Sequence, residues 1–178
     1  MTIVKVVIWE PTGWGASSMG HISVVVVDGG TATSYSLAPG GCDVRPFDEY
    51  MSKNSFRTGY ILELNLSAAQ SRAVGAYFQN YFNNAASPNV CGYQLIGTAK
   101  GINNCATPIQ RALQSAGVNW ETISALPRGV GLSLWNKGLV RRASKCSGYN
   151  QVRIFVPPWS NTIKGAYPWE NRANESCR

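Results

Sequence analysis

Residues 21–27 read His-Ile-Ser-Val-Val-Val-Val, and Asp28-Gly29-Gly30 follows before Thr-Ala-Thr-Ser-Tyr-Ser-Leu at residues 31–37. Side chains branched at Cβ crowd a helix and fit an extended backbone, so the first run specifies a strand covered on both faces. Two glycines after an aspartate supply the positive backbone angles of a tight hairpin turn. A chain built on such a hairpin must assemble a sheet around it. With the turn centred on the glycines, antiparallel pairing brings residues 36–38 opposite His21 and makes Ser36 its neighbour.

The flanking sequence supplies the rest of an α+β pattern. Residues 2–9 alternate and then become continuously apolar, and residues 57–66 alternate well enough for a further strand. Between them, Pro-Thr-Gly-Trp-Gly-Ala-Ser-Ser-Met-Gly at residues 11–20 is a loop whose glycines can bring backbone close to a ligand. Residues 46–53 suggest a short helix. Ser67 and Gln70 form a capping box, and Val74, Tyr77, Phe78, Tyr81 and Phe82 then make a core-facing helical stripe that residues 83–89 end.

Residues 93–97 lead to a second stripe, Ile109, Ala112, Leu113 and Ala116, stopped by Gly117. Its start admits two readings. A Thr107–Gln110 box with Pro108 at the first helical position leaves Cys105 two residues ahead of the helix, whereas a cap at Asn103 or Asn104 takes Cys105 into the first turn. In both, the sulfur lies near unpaired backbone N–H groups and the positive end of the helix dipole, which favours thiolate. Residues 120–140 read as partly helical with interruptions at Pro127, Gly129 and Gly131, residues 151–156 as a short closing strand, and residues 159–178 as an irregular tail.

A length of 178 residues suits one domain, spanning residues 1–178. The net charge is +7, and basic residues gather late, at Arg128, Lys137, Arg141, Arg142, Lys145, Arg153 and Lys164. Such a surface favours an anionic partner: cell-wall polymer, phospholipid headgroups or an acidic inhibitor. No nucleic-acid-binding motif is present, so nucleic acid is not expected as a partner. No apolar run approaches the ~20 residues that span a bilayer, and the first residues read as a strand rather than a signal peptide, so export is expected by a route without a classical signal. There is no glycine-rich nucleotide loop, no CxxC pair and only one histidine. No cofactor or metal is expected.

That one histidine, His21, is the natural base for a thiol, because imidazole takes up a proton near neutral pH and a thiol is a modest nucleophile until it loses one. Of the five cysteines, Cys42, Cys91, Cys146 and Cys177 could form two bridges in any of three pairings in an oxidising compartment and leave Cys105 free; the alternative is five reduced thiols.

A strand beginning Gly20-His21-x-Ser23, a second carrying Tyr35-Ser36-x-x-Pro39 and a later helix beginning Asn104-Cys105 resemble the circularly permuted papain-like cysteine hydrolases, which include permuted NlpC-type peptidases and lecithin:retinol acyltransferase-like enzymes. The resemblance covers roughly residues 14–117 and is closest to small bacterial toxins, some of them effectors injected by type VI secretion systems. It implies an antiparallel sheet packed against helices with the nucleophile at a helix N-terminus. It makes Cys105 the nucleophile and His21 its base, and it puts the residue that orients the imidazole on the second hairpin strand. There this chain has Ser36 or Ser34 where His, Asn or Asp is commoner; Asp43, Asp28 or a backbone carbonyl are the alternatives. The oxyanion hole would combine the Cys105 N–H with either the Trp14–Gly15 backbone or the Asn104 side chain, a donor worth about 3 kcal/mol in the transition state.

The function so implied is that of an antibacterial effector, a cysteine amidase or peptidase that cuts peptidoglycan peptide stems in a rival's periplasm. Its expected partners are that anionic envelope substrate, a cognate immunity protein and a component of the secretion apparatus. Three alternatives remain open: an acyl-ester hydrolase or acyltransferase acting on lipids, a cysteine protease of the target cytoplasm, and a non-catalytic binding module.

Overall fold

The computed structural model describes residues 1–11, 20–83, 91–98, 101–122, 126–146, 167–169 and 174–175. In chain order the elements are β1 (Ile3–Trp9), β2 (His21–Asp28), β3 (Thr31–Ala38), β4 (Gly41–Pro46), α1 (Phe47–Lys53), β5 (Gly59–Leu64), α2 (Ala68–Asn83), β6 (Gln94–Thr98), β7 (Gly101–Asn103), α3 (Thr107–Ser115), α4 (Pro127–Asn136), β8 (Val140–Cys146) and β9 (Asn174–Glu175). Six strands form an antiparallel sheet in the order β4-β3-β2-β1-β5-β8, and the two-residue β9 adds in parallel at the β8 edge. Strands β6 and β7 make a separate small hairpin. The chain is thus α+β, with four helices among the described residues.

The hairpin is where the glycines predict it, with Asp28 paired to Thr31 across the turn. Both faces of β2 are covered. Ile22, Val24 and Val26 join Val4, Val6, Ile8 and Leu62 in the main core, against Val74, Phe78 and Phe82 of α2, Ile109 and Leu113 of α3 and Val130 and Leu134 of α4. Val25 points the other way and packs with Val7, Trp9, Ile61 and Tyr50 of α1. Burying each aliphatic side chain contributes roughly 1.5–3 kcal/mol, so β2 is held from two sides.

The Ser67–Gln70 capping box forms, with Ser67 N–H donating to Gln70 Oε1 at 3.0 Å and Gln70 N–H to Ser67 Oγ at 3.2 Å. The stripe behind it is narrower than its spacing predicts. Val74, Phe78 and Phe82 are buried, whereas Tyr81 is 47% exposed and stacks on Tyr77 with ring centroids 4.4 Å apart.

Glycines at 129 and 131 do not interrupt α4, which starts on Pro127 and runs through both. A Cβ on Gly131 would lie 2.3 Å from Ile8 Cδ1, so the glycine lets the helix approach the sheet. Strands β4 and β8 have no counterpart in the sequence reading. The basic cluster Arg141, Arg142 and Lys145 lies on β8, where only Ala143 and Cys146 are buried and Arg141 pairs with Glu63 of β5. The strand expected at residues 151–156 lies outside the described residues. In the segment expected to be an irregular tail, Trp169 is fully buried and stacks on Tyr167 at 4.7 Å, both packed against Tyr60. These large aromatic side chains hold residues 167–169 on the core. Among the described residues no helix is long and apolar enough to cross a membrane, and no group of His, Cys, Asp and Glu side chains could hold a metal ion.

Candidate active site

Strand β2 begins at a position that admits only glycine. Gly20 has φ +89°, and a Cβ there would lie 2.6 Å from the Trp9 carbonyl oxygen of the neighbouring strand. The chain can therefore enter β2 tight against β1 and set His21 directly opposite Trp9.

Strand alternation puts His21 on the same face as Ser23 and Val25, while Ile22 and Val24 face the main core. The direct partner of Ser36 is Ser23, so Ser36 approaches His21 along the diagonal of the β2–β3 pair. Its Oγ lies 2.6 Å from His21 Nε2, and both residues are buried. That hydrogen bond uses Nε2 and leaves Nδ1 as the ring nitrogen for a reaction partner. Ser34, the other serine considered for this role, is fully buried, and its hydroxyl has no partner. Asp43 is paired with Ser36 across β3–β4, but its carboxylate is bound to Arg45.

Cys105 arrives on a turn just ahead of α3. Asn104 Oδ1 accepts from the Ala106 N–H at 2.9 Å, and Thr107 Oγ1 accepts from the Asn104 N–H at 3.1 Å. This is the reciprocal pattern of a capping box, set at Asn104 rather than at Thr107, and it fixes Cys105 between capped ends. The helix proper begins at Thr107, with Cys105 two residues before it. The sulfur rests against the backbone N–H of Ile22 in β2 and against its own N–H. The thiol is thus brought to the residue that follows His21, on the core side of the sheet. Asn104 is 1% exposed, and its Nδ2 has no hydrogen-bond partner.

Electrostatics hold both groups neutral at rest. Burial, with help from the Arg57 guanidinium and against the pull of Asp43, lowers the His21 pKa to about 4. Burial raises the Cys105 thiol to about 11, although the Ile22 and Cys105 amides and the Arg57 charge favour its anion. Desolvation outweighs the helix-end amides that by themselves favour a thiolate. The resting pair is therefore a thiol with a neutral imidazole rather than a preformed ion pair.

A cavity of about 140 Å³ opens beside His21, lined by Ser36, Ala38, Pro39, Asp43, Tyr50, Lys53, Asn54 and Arg57. Arg57 is the residue that sequence reasoning missed. It is 8% exposed, its guanidinium lies 5.2 Å over the Trp9 ring, and its Nε and Nη2 donate to Asn54 Oδ1. Its only signal in the sequence was an arginine at the start of a strand, which reads as a surface charge. Trp14 and Gly15, the other oxyanion candidates, lie outside the described residues.

One of the bridges open to the oxidised reading is formed, and Cys177 lies outside the described residues. Cys42 and Cys91 are bridged, Cys146 is also in a disulfide, and Cys105 is a free thiol. The first bridge ties β4, at the cavity wall, to the segment that carries Tyr93, whose phenol lies within electrostatic reach of Cys105.

No family model matches the chain, and no curated protein matches it in sequence. Among solved structures, the crystal structure of a type VI secretion system effector, TseH, is similar, with a TM-score of 0.47 and 12% identity over 75% of this chain and 88% of that one.

Proposed function

We propose that the chain is a cysteine hydrolase, with Cys105 as nucleophile, His21 as general base and acid and Ser36 as the residue that orients the imidazole. One observation supports this reading: the free thiol of Cys105 rests against the backbone N–H of Ile22, the residue that follows the single histidine of the sequence, whose imidazole is held through Nε2 by Ser36.

The neutral ground state sets the order of events. As Sγ attacks a carbonyl carbon, its proton passes to Nδ1, the nitrogen Ser36 does not engage, and the imidazolium so formed donates through Nε2–H to Ser36 Oγ. The Cys105 N–H and the unpartnered Asn104 Nδ2 are the donors for the developing oxyanion. His21 then returns the proton to the leaving amine, the C–N bond breaks, and a thioester remains. Water, activated by the same imidazole, hydrolyses that thioester and frees the thiol.

The proposed substrate is the peptide stem of peptidoglycan, cut in the periplasm of a target bacterium by an antibacterial effector against which an immunity protein guards the producer. A net charge of +7 suits an anionic envelope, and the disulfides suit an oxidising compartment. The test is incubation of purified sacculi with wild type, Cys105→Ala and His21→Ala, followed by mass spectrometry of the soluble fraction. Peptide fragments released by wild type alone are expected. Intact sacculi together with fatty acid freed from phospholipid would move the same thiol to ester substrates.

A further inference from the structure

Arg57 is a buried cation without an anion. Among the described residues no carboxylate lies within salt-bridge distance of it, and the nearby acid of the cavity, Asp43, is bound to Arg45 through both oxygens. Asn54 takes up Nε and Nη2, and Trp9 and Phe56 lie against the guanidinium face at 5.2 and 5.4 Å, which accounts for one edge and the flat surfaces of the group. Nη1 is left buried with no hydrogen-bond partner. A buried donor left unmade is costly, and a buried charge more so, so such an arrangement persists where something else completes it.

The cavity that Arg57 lines also contains His21 and Ser36, and Lys53 supplies a second cation from the exposed end of α1. His21 and Arg57 line one cavity, so a group bound to the guanidinium lies beside the imidazole. We infer that this cavity recognises a carboxylate on the substrate, with Arg57 as the principal partner and Lys53 as the second. The assignment deepens the hydrolase reading and rests on it for the word substrate: the cleaved chain carries a free carboxylate close to the scissile amide. Guanidinium suits this role because its fork matches a carboxylate and it remains charged when buried.

The chain's single histidine gives one imidazole Cε1–H resonance, a reporter inside the cavity. In Cys105→Ala protein, titration with N-acetylglutamate should move that resonance saturably, and the neutral N-acetylglutamine should move it at least fivefold less at equal concentration. Arg57→Gln should weaken the acid's binding roughly tenfold and leave the amide's response unchanged, as expected for loss of one charge-assisted contact. Because Arg57 packs on Trp9, Lys53→Glu serves as a second variant at an exposed position, and it should weaken the acid severalfold while the fold persists. Equal responses to acid and amide in the parent protein, or no loss in Lys53→Glu together with no loss in a folded Arg57→Gln, would overturn the assignment. Carboxylate binding without turnover of any amide would instead retain the cavity's role and remove the hydrolase reading.

Discussion

Ser36 Oγ lies 2.6 Å from His21 Nε2 although the residue directly across the ladder from Ser36 is Ser23. The contact is diagonal, and it occupies Nε2 while leaving Nδ1 unengaged by Ser36. With Nδ1 as the proton acceptor, the neutral ring carries its hydrogen on Nε2, so the serine oxygen accepts from the ring both before and after proton transfer.

Removing that partner should loosen the base without unfolding the sheet. Ser36→Ala is expected to reduce kcat by about tenfold, the equivalent of one hydrogen bond of roughly 1.4 kcal/mol, with KM little changed and a loss of stability of about 1–3 kcal/mol that leaves the protein folded. Steady-state kinetics on a stem peptide would check it; a wild-type kcat would remove Ser36 from the site.

Gly20→Ala should fail for a different reason. Its Cβ would collide with the Trp9 carbonyl at a backbone angle that L side chains avoid. The expected outcome is a loss of stability of more than about 1 kcal/mol, accompanied by displacement of His21 and loss of activity. Thermal melting and the His21 resonance together would show it.

The pH behaviour follows from burial. Catalysis needs neutral imidazole, so activity should persist below the usual histidine range and fall only as pH drops through about 4. Stability has the same sign. Between about pH 6.5 and 4 the unfolded chain binds a proton at His21 that the folded chain refuses, so acidification over that window should cost wild type roughly 3 kcal/mol more than His21→Asn. On the alkaline side, the thiol raised to about 11 predicts stability lost as pH climbs from about 9. Urea titrations of the two proteins from pH 4 to 7 test the acid limb.

The Cys42–Cys91 bridge closes a loop with a sequence separation of 49. Chain entropy alone puts its contribution at about 4 kcal/mol. Cys42→Ser with Cys91→Ser should therefore lower the unfolding free energy by up to that amount, and reduction of wild type should lower it at least as far.

Legibility in the sequence followed locality. The hairpin and the α2 cap could be read because neighbouring residues encode them; His21 stood out as the single histidine, Ser36 through the hairpin register that brings it to His21, and Cys105 through the helix that starts just after it. Strands β4 and β8 were hidden because charged residues such as Arg45, Arg141 and Arg142 obscure their alternation at half-exposed positions. The turn before α3 is held at Asn104 because its Oδ1 accepts from the Ala106 N–H and its own N–H donates to Thr107 Oγ1, a choice that spacing leaves open. Arg57 was invisible because its meaning comes from Trp9, Asn54 and His21, which only the folded sheet brings together.

The central claim, a Cys105–His21 hydrolase acting in the envelope, is tested most directly by growth of bacteria expressing the chain with and without a periplasmic export signal, as wild type, Cys105→Ala and His21→Ala. The account predicts killing by exported wild type alone. Killing that survives both substitutions would contradict it.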